Sequence, residues 1–127
     1  MKRKFFSTWA LFGCLVLAAS APVLAHHGTA AYDLDKVVAL QATITNFYWM
    51  NPHSEILFDS QDRHGNLQHW AIETHPPTML EGHGWTRKAL APGDHVMITF
   101  HPAKNGGTTG ILIKVVLPNG QELKHDV

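Results

Sequence analysis

Two short runs of alternating residues, set either side of a polar turn, leave this chain little choice of secondary structure. In residues 54–61, Ser54, Ile56 and Phe58 share one phase and Glu55, Leu57 and Asp59 the other. Residues 67–74 repeat the pattern, with Trp70 and Ile72 in phase. Successive side chains of a strand point to opposite faces. Each run therefore reads as a strand with one apolar face, and Asp62-Arg63-His64-Gly65-Asn66 as the turn of a hairpin. Pairing Gln61 with Leu67 sets Asp59 against His69, Leu57 against Ala71, Glu55 against Glu73 and His53 against His75, all on the face away from the core. A slip of one residue would send these partners to opposite faces.

The rest of the chain is punctuated in the same way. Residues 37–49, rich in Val, Thr, Ile and aromatic residues, predict a long strand that Asn51-Pro52 breaks. Pro76-Pro77 ends the hairpin pattern, and residues 78–90 have a short helical character, with Thr78 or Thr86 as caps and Gly82 and Gly84 as interruptions. Pro92-Gly93-Asp94 turns into a strand over residues 95–101. Asn105-Gly106-Gly107 precedes another over residues 108–117, and Pro118-Asn119-Gly120 begins a last short hairpin to Leu123. The expected fold is mostly β: a small five- to six-stranded OB-like barrel with one short helix between strands 3 and 4. A small open β-sandwich is the alternative. Closing a barrel hides edges that would otherwise template aggregation.

The first 25 residues read as a signal peptide. Lys2, Arg3 and Lys4 form a basic region, residues 5–19 an apolar one, and Val23-Leu24-Ala25 a cleavage site with small residues at −3 and −1. The expected organisation is a signal over residues 1–25, an arm over 26–36 and a barrel over 37–127. Removing the signal leaves 102 of 127 residues, one domain's worth. These carry seven basic and ten acidic residues, a net charge of −3, which disfavours nucleic acid as a partner. Cys14, the only cysteine, lies in the apolar leader, so the mature domain has no disulfide and must fold on its core, a metal or a partner. Leu11-Phe12-Gly13-Cys14 also makes a loose lipobox, with Cys14 as a lipidation alternative. The leader is too short for a stable membrane anchor.

Cleavage after Ala25 exposes His26 as the N-terminal residue, with His27 beside it. The amine and ring Nδ1 of His26 can then close a six-membered chelate ring on one metal ion. An α-amine titrates at about 7.7–8.0, so a metal displaces its proton near neutral pH. His27 is the candidate second ligand, and nitrogen donors in a tetragonal set suit Cu(II) and Ni(II). All ten histidines follow the signal, in a chain without thiol ligands. The hairpin register adds a second candidate set, His53, Glu55, Glu73 and His75, because two acids directly opposed repel and a cation removes the penalty. The plainer reading of that face leaves both glutamates splayed into water. The zinc-hydrolase, deaminase, nucleophile-elbow and P-loop patterns are absent.

The signal followed by His26-His27, Tyr32-Asp33, Asn51-Pro52-His53, Trp70 with Glu73, Gly84-Trp85, Pro92-Gly93-Asp94 and Leu117-Pro118-Asn119-Gly120 occur in an order that resembles a family of small exported bacterial proteins of unknown function. The resemblance spans nearly the whole mature chain. It implies a Gram-negative periplasmic setting and no established activity. The function expected is therefore periplasmic metal binding or delivery, copper first, without enzymatic turnover. Two alternatives stay open. One is a non-metal interaction module presenting Trp49, Trp85 and nearby loops to a periplasmic protein or small ligand; the other is a copper oxygenase built on the N-terminal histidine.

Overall fold

The structure is a computed structural model that describes residues 28–125. Cys14, the cleavage site, His26 and His27 lie outside the described residues, as do residues 126 and 127. The hairpin register is the expected one. Strand β2 (Glu55–Gln61) pairs with β3 (Leu67–Glu73) in antiparallel fashion, with Gln61 opposite Leu67, Asp59 opposite His69 and Glu55 opposite Glu73. The Asp62 carboxylate fixes the turn by accepting from the backbone N–H groups of His64 (2.8 Å) and Asn66 (2.9 Å). Gly65 supplies the positive φ of 82° that this reversal needs.

Strand β1 (Val38–Tyr48) serves two neighbours. Its first half pairs with β4 (His95–Pro102), from Val38↔Phe100 to Thr43↔His95. Its second half pairs with β2, from Thr43↔Asp59 to Tyr48↔Glu55, with an irregularity between Ile44 and Asn46. The extra residue bends the strand, which lets one chain segment cross from one side of the barrel to the other. Strand β5 (Thr109–Val116) returns along β4, and a short β6 (Glu122–Lys124) adds to β5. Three parallel pairs, Ala71↔Thr109, Ile72↔Gly110 and Glu73↔Ile111, join β3 to β5 and close the barrel. The order β3-β2-β1-β4-β5 with a short helix between β3 and β4 is the OB-like arrangement expected.

Ile44, Ile56, Phe58, Ile72, Ile98, Phe100, Leu112 and Val115 fill the barrel at 1% exposure or less. Phe58 stacks on Trp70 (6.2 Å between centroids), and Trp70 leans on Phe100 (5.0 Å). Helix α1 is shorter than its sequence pattern and starts differently: it spans Pro77–Gly82. Pro77 occupies the first turn, where its missing N–H costs nothing, in place of a Thr78 or Thr86 cap. Gly84, at a φ of 83°, turns the chain back so that Trp85 enters the core. Trp85 is 1% exposed and its indole donates to Lys124 O (2.9 Å). It is thus a core residue and lines no ligand groove. Trp49, half-buried, packs edge-on against Phe47 (5.6 Å). Among the described residues, no helix is long and apolar enough to cross a membrane.

Candidate metal centre

The β2–β3 register puts Glu55 and Glu73 face to face on the outer side of the barrel, next to the seam where β3 meets β5. Both are half-buried. Burial pushes the Glu55 carboxyl above its usual range, and the charge of Glu73 pushes it further. Above the pair lies Tyr32, 6% exposed. Burial, then the charge of Glu73, a hydrogen bond to Glu73 and the charge of Glu55 raise the Tyr32 phenol to about 12. A cavity of about 250 Å³ opens here, lined by Ala31, Tyr32, Glu55, Glu73, Asn105 and Thr109.

Tyr32 belongs to the segment read from sequence as a patternless arm. The arm is docked. Residues Thr29–Ala31 form a 3₁₀ turn. Lys104 N–H donates to Ala31 O (3.0 Å), Tyr32 bridges to Ala103, and Asp33 N–H donates to Pro102 O (2.9 Å). His101, near the end of β4, also reaches the arm. Its Nδ1 donates to Lys36 O at 2.7 Å. Sequence reasoning missed Tyr32 as a site residue. The available signal was that Tyr32 is the only aromatic residue between positions 26 and 46.

The remaining predicted ligands separate. Beyond Glu55↔Glu73 the ladder is irregular: Thr74 N–H donates to Ser54 O (2.9 Å), but Ser54 N–H donates to His75 O (3.2 Å). Two residues on one side thus oppose one on the other, and the expected His53–His75 pair is not made. His53 is exposed, in the loop that contains the cis Asn51–Pro52 bond. The His75 ring stacks on His125 (3.7 Å between centroids) and lies 6.4 Å from His83. His125 is 6% exposed and hydrogen-bonds Thr74 Oγ1 through Nδ1 (2.9 Å). Among the described residues, no group of three or more His, Cys, Asp or Glu side chains is placed to hold a metal ion.

The other polar features on the outer face are satisfied locally. Register aligns His69, Asp59, Thr43 and His95 in a row across four strands. His69 Nδ1 donates to Asp59 (2.6 Å), and Thr43 Oγ1 bonds His95 Nδ1 (3.1 Å). Two larger clefts, of about 480 and 450 Å³, flank this row. Neither contains opposed like charges, in contrast to the cavity at Glu55 and Glu73. No curated protein and no solved structure matches the chain. A family model described as "Family of unknown function (DUF6152)" matches residues 14–114, most of the sequence, and the chain belongs to that family.

Proposed function

We propose that this is a periplasmic metal-binding or metal-delivery protein, copper first, in which His26 anchors the ion through its amine and ring, His27 adds a nitrogen, and Glu55 with Glu73 complete the centre from the barrel. One observation carries the reading: arm residues Ala31 and Tyr32 line the same small cavity as the opposed carboxylates. Opposed acids cost stability unless something positive lies between them, and a divalent ion supplies that charge. In sequence, His27 directly precedes Gly28, three residues before the cavity-lining Ala31. Nitrogen donors with carboxylate oxygens in a tetragonal set suit Cu(II). His75, held in the His125 stack, is left outside this centre, and so is His53.

The test is a Cu(II) titration of the protein beginning at His26 and of a version with one extra N-terminal residue. The extra residue moves the amine off His26 and destroys the chelate ring, so the extended protein binds copper much more weakly. Equal affinities would remove His26 as the anchor and the proposal with it.

A further inference from the structure

We propose that the open edge of β1, in the first half of that strand, is a docking site for an extended peptide segment of a partner protein, which adds to the sheet as one more strand. The inference is independent of the metal-binding reading and uses a different cleft. Strand β1 changes neighbours part-way along. Its ladder with β2 ends at Thr43↔Asp59, while its ladder with β4 continues to Val38↔Phe100. Before Thr43, β4 is therefore its one strand neighbour among the described residues. Three bonds fix the backbone phase. Ile44 N–H donates to Asp94 O (2.9 Å) and Ile44 O accepts from Gly93 N–H (2.8 Å), so the amide groups of Ile44 face the β4 side. Alternation along the strand turns the N–H and C=O of Ala39 and Gln41 to the opposite side. The Ser60 hydroxyl agrees with that phase: it donates to Gln41 O at 2.8 Å, in place of a backbone partner where the two strands part.

Beyond that point lies the cleft of about 480 Å³, with Ala39, Leu40 and Gln41 of β1 on one side and Ser60, Gln61 and Leu67 of the hairpin on the other. A cleft between two strands suits one extended chain, not the convex wall of a second barrel. Native proteins guard open edges with Lys, Pro, bulges or inward charges. Residues 37–42, Val-Val-Ala-Leu-Gln-Ala, contain no charge and no proline. The irregularity of β1 lies elsewhere, between Ile44 and Asn46. Val37 (62% exposed) and Leu67 (58%) are the two most exposed large apolar side chains among the described residues. One precedes this edge and the other lines the cleft. The edge is also ordered in advance, because Val38 and Leu40 pack on the core and β4 holds the other side, which lowers the cost of binding. Main-chain groups of an open edge recognise an extended backbone. In the lining, Asp59 is bonded to His69 and His95 to Thr43, and the other side chains are uncharged. The segment that fits is therefore uncharged, with small or β-branched side chains that favour the extended form.

The experiment titrates a hexapeptide of alternating Thr and Val, acetylated and amidated at its ends, into metal-free ¹⁵N-labelled protein up to millimolar concentration. Amide resonances and hydrogen exchange are followed. The N–H groups of Ala39 and Gln41 are expected to shift and to exchange more slowly, while those of Leu40 and Ala42, turned toward β4, barely change. Two controls separate strand addition from apolar contact. The fully N-methylated hexapeptide keeps the side chains and loses every main-chain donor, and it is expected not to bind. Ala39→Pro removes an edge N–H that β4 does not use, and it is expected to lose peptide binding with the rest of the spectrum preserved. Unperturbed Ala39 and Gln41 amides overturn the proposal, and so does equal binding of the N-methylated peptide. Wild-type binding by Ala39→Pro would do the same; should that variant not fold, the comparison of the two peptides decides. Concentration-dependent shifts of the same amides without peptide, together with a doubled mass in solution, would assign the edge to a second copy of this chain and also overturn it.

Discussion

Replacing Gly110 by Ala should loosen the seam that closes the barrel. Gly110 sits where β5 runs between β4 and β3, paired with Pro102 on one side and Ile72 on the other. A Cβ there would meet His101 O and Phe100 Cδ2 at 2.6 Å and Ile72 Cδ1 at 3.1 Å, against an ordinary contact of 3.4–4 Å. The two nearest atoms would have to retreat by about 0.8 Å. Neither can do so freely. His101 O belongs to the β4–β5 ladder, and Phe100 is held between Phe58 and Trp70 in the core. Overpacking of this kind costs about 1–3 kcal/mol, and involvement of backbone places this case toward the top of that range. The reduced entropy of the unfolded chain returns about 0.4–1 kcal/mol. The net loss is about 2–2.5 kcal/mol, which lowers Tm by roughly 8–20 °C in a domain of this size. Thermal unfolding of metal-free protein, followed by circular dichroism, reads it directly. An unchanged or raised Tm would refute the close approach of β5 to both neighbours, and with it the placement of Thr109 and Glu73 at one cavity.

Three further outcomes follow from the site and its surroundings. In the folded state the Glu55 carboxyl holds its proton more tightly than in the unfolded chain, so its contribution to stability falls as pH rises through the ordinary carboxylate range into the raised one. Glu55→Gln should accordingly stabilise metal-free protein at neutral pH by about 0.2–1 kcal/mol, a gain that disappears below the ordinary carboxylate range; a gain that persists in acid would contradict the electrostatic origin. Free Cu(II) at a hundred times its dissociation constant should add at most about 2.7 kcal/mol of stability, less to the extent that the His26 chelate also forms on the unfolded chain, an effect reversed by chelator and read by differential scanning calorimetry. Trp85→Phe removes the indole bond to Lys124 O and leaves that carbonyl without its donor, at a cost of about 1–3 kcal/mol; an unshifted urea midpoint would show that β6 is held by other means.

Local chemistry was legible in the sequence, and contacts between distant segments were not. The hairpin register could be read because alternation and turn agree: Asp62 caps the reversal, and only one register buries Ile56, Phe58, Trp70 and Ile72 together. The barrel order followed from the sequence of strands and one helix. Extrapolating the same register to His53 and His75 failed because the ladder becomes irregular at Ser54, and periodicity carries no signal for such a bulge. The helix was overextended because polar residues past Gly84 continue a helical composition, while the positive φ of that glycine redirects Trp85 inward. The burial of His125 depends on His75 and Thr74, some fifty residues earlier, which no local pattern reveals. Tyr32 is the same case at the site itself: its neighbours along the chain are exposed, and its partner Glu73 is supplied by β3.

The account turns on a copper ion held jointly by a processed N-terminus and the barrel. Native mass spectrometry of the protein recovered from the periplasm of copper-supplied cells tests this in a single spectrum. The expected species has the mass of residues 26–127 plus one copper ion, and the share of molecules that keep the ion falls when Glu55 and Glu73 are both replaced by Gln. A mature chain that begins at another residue, or that carries no metal under these conditions, would contradict it.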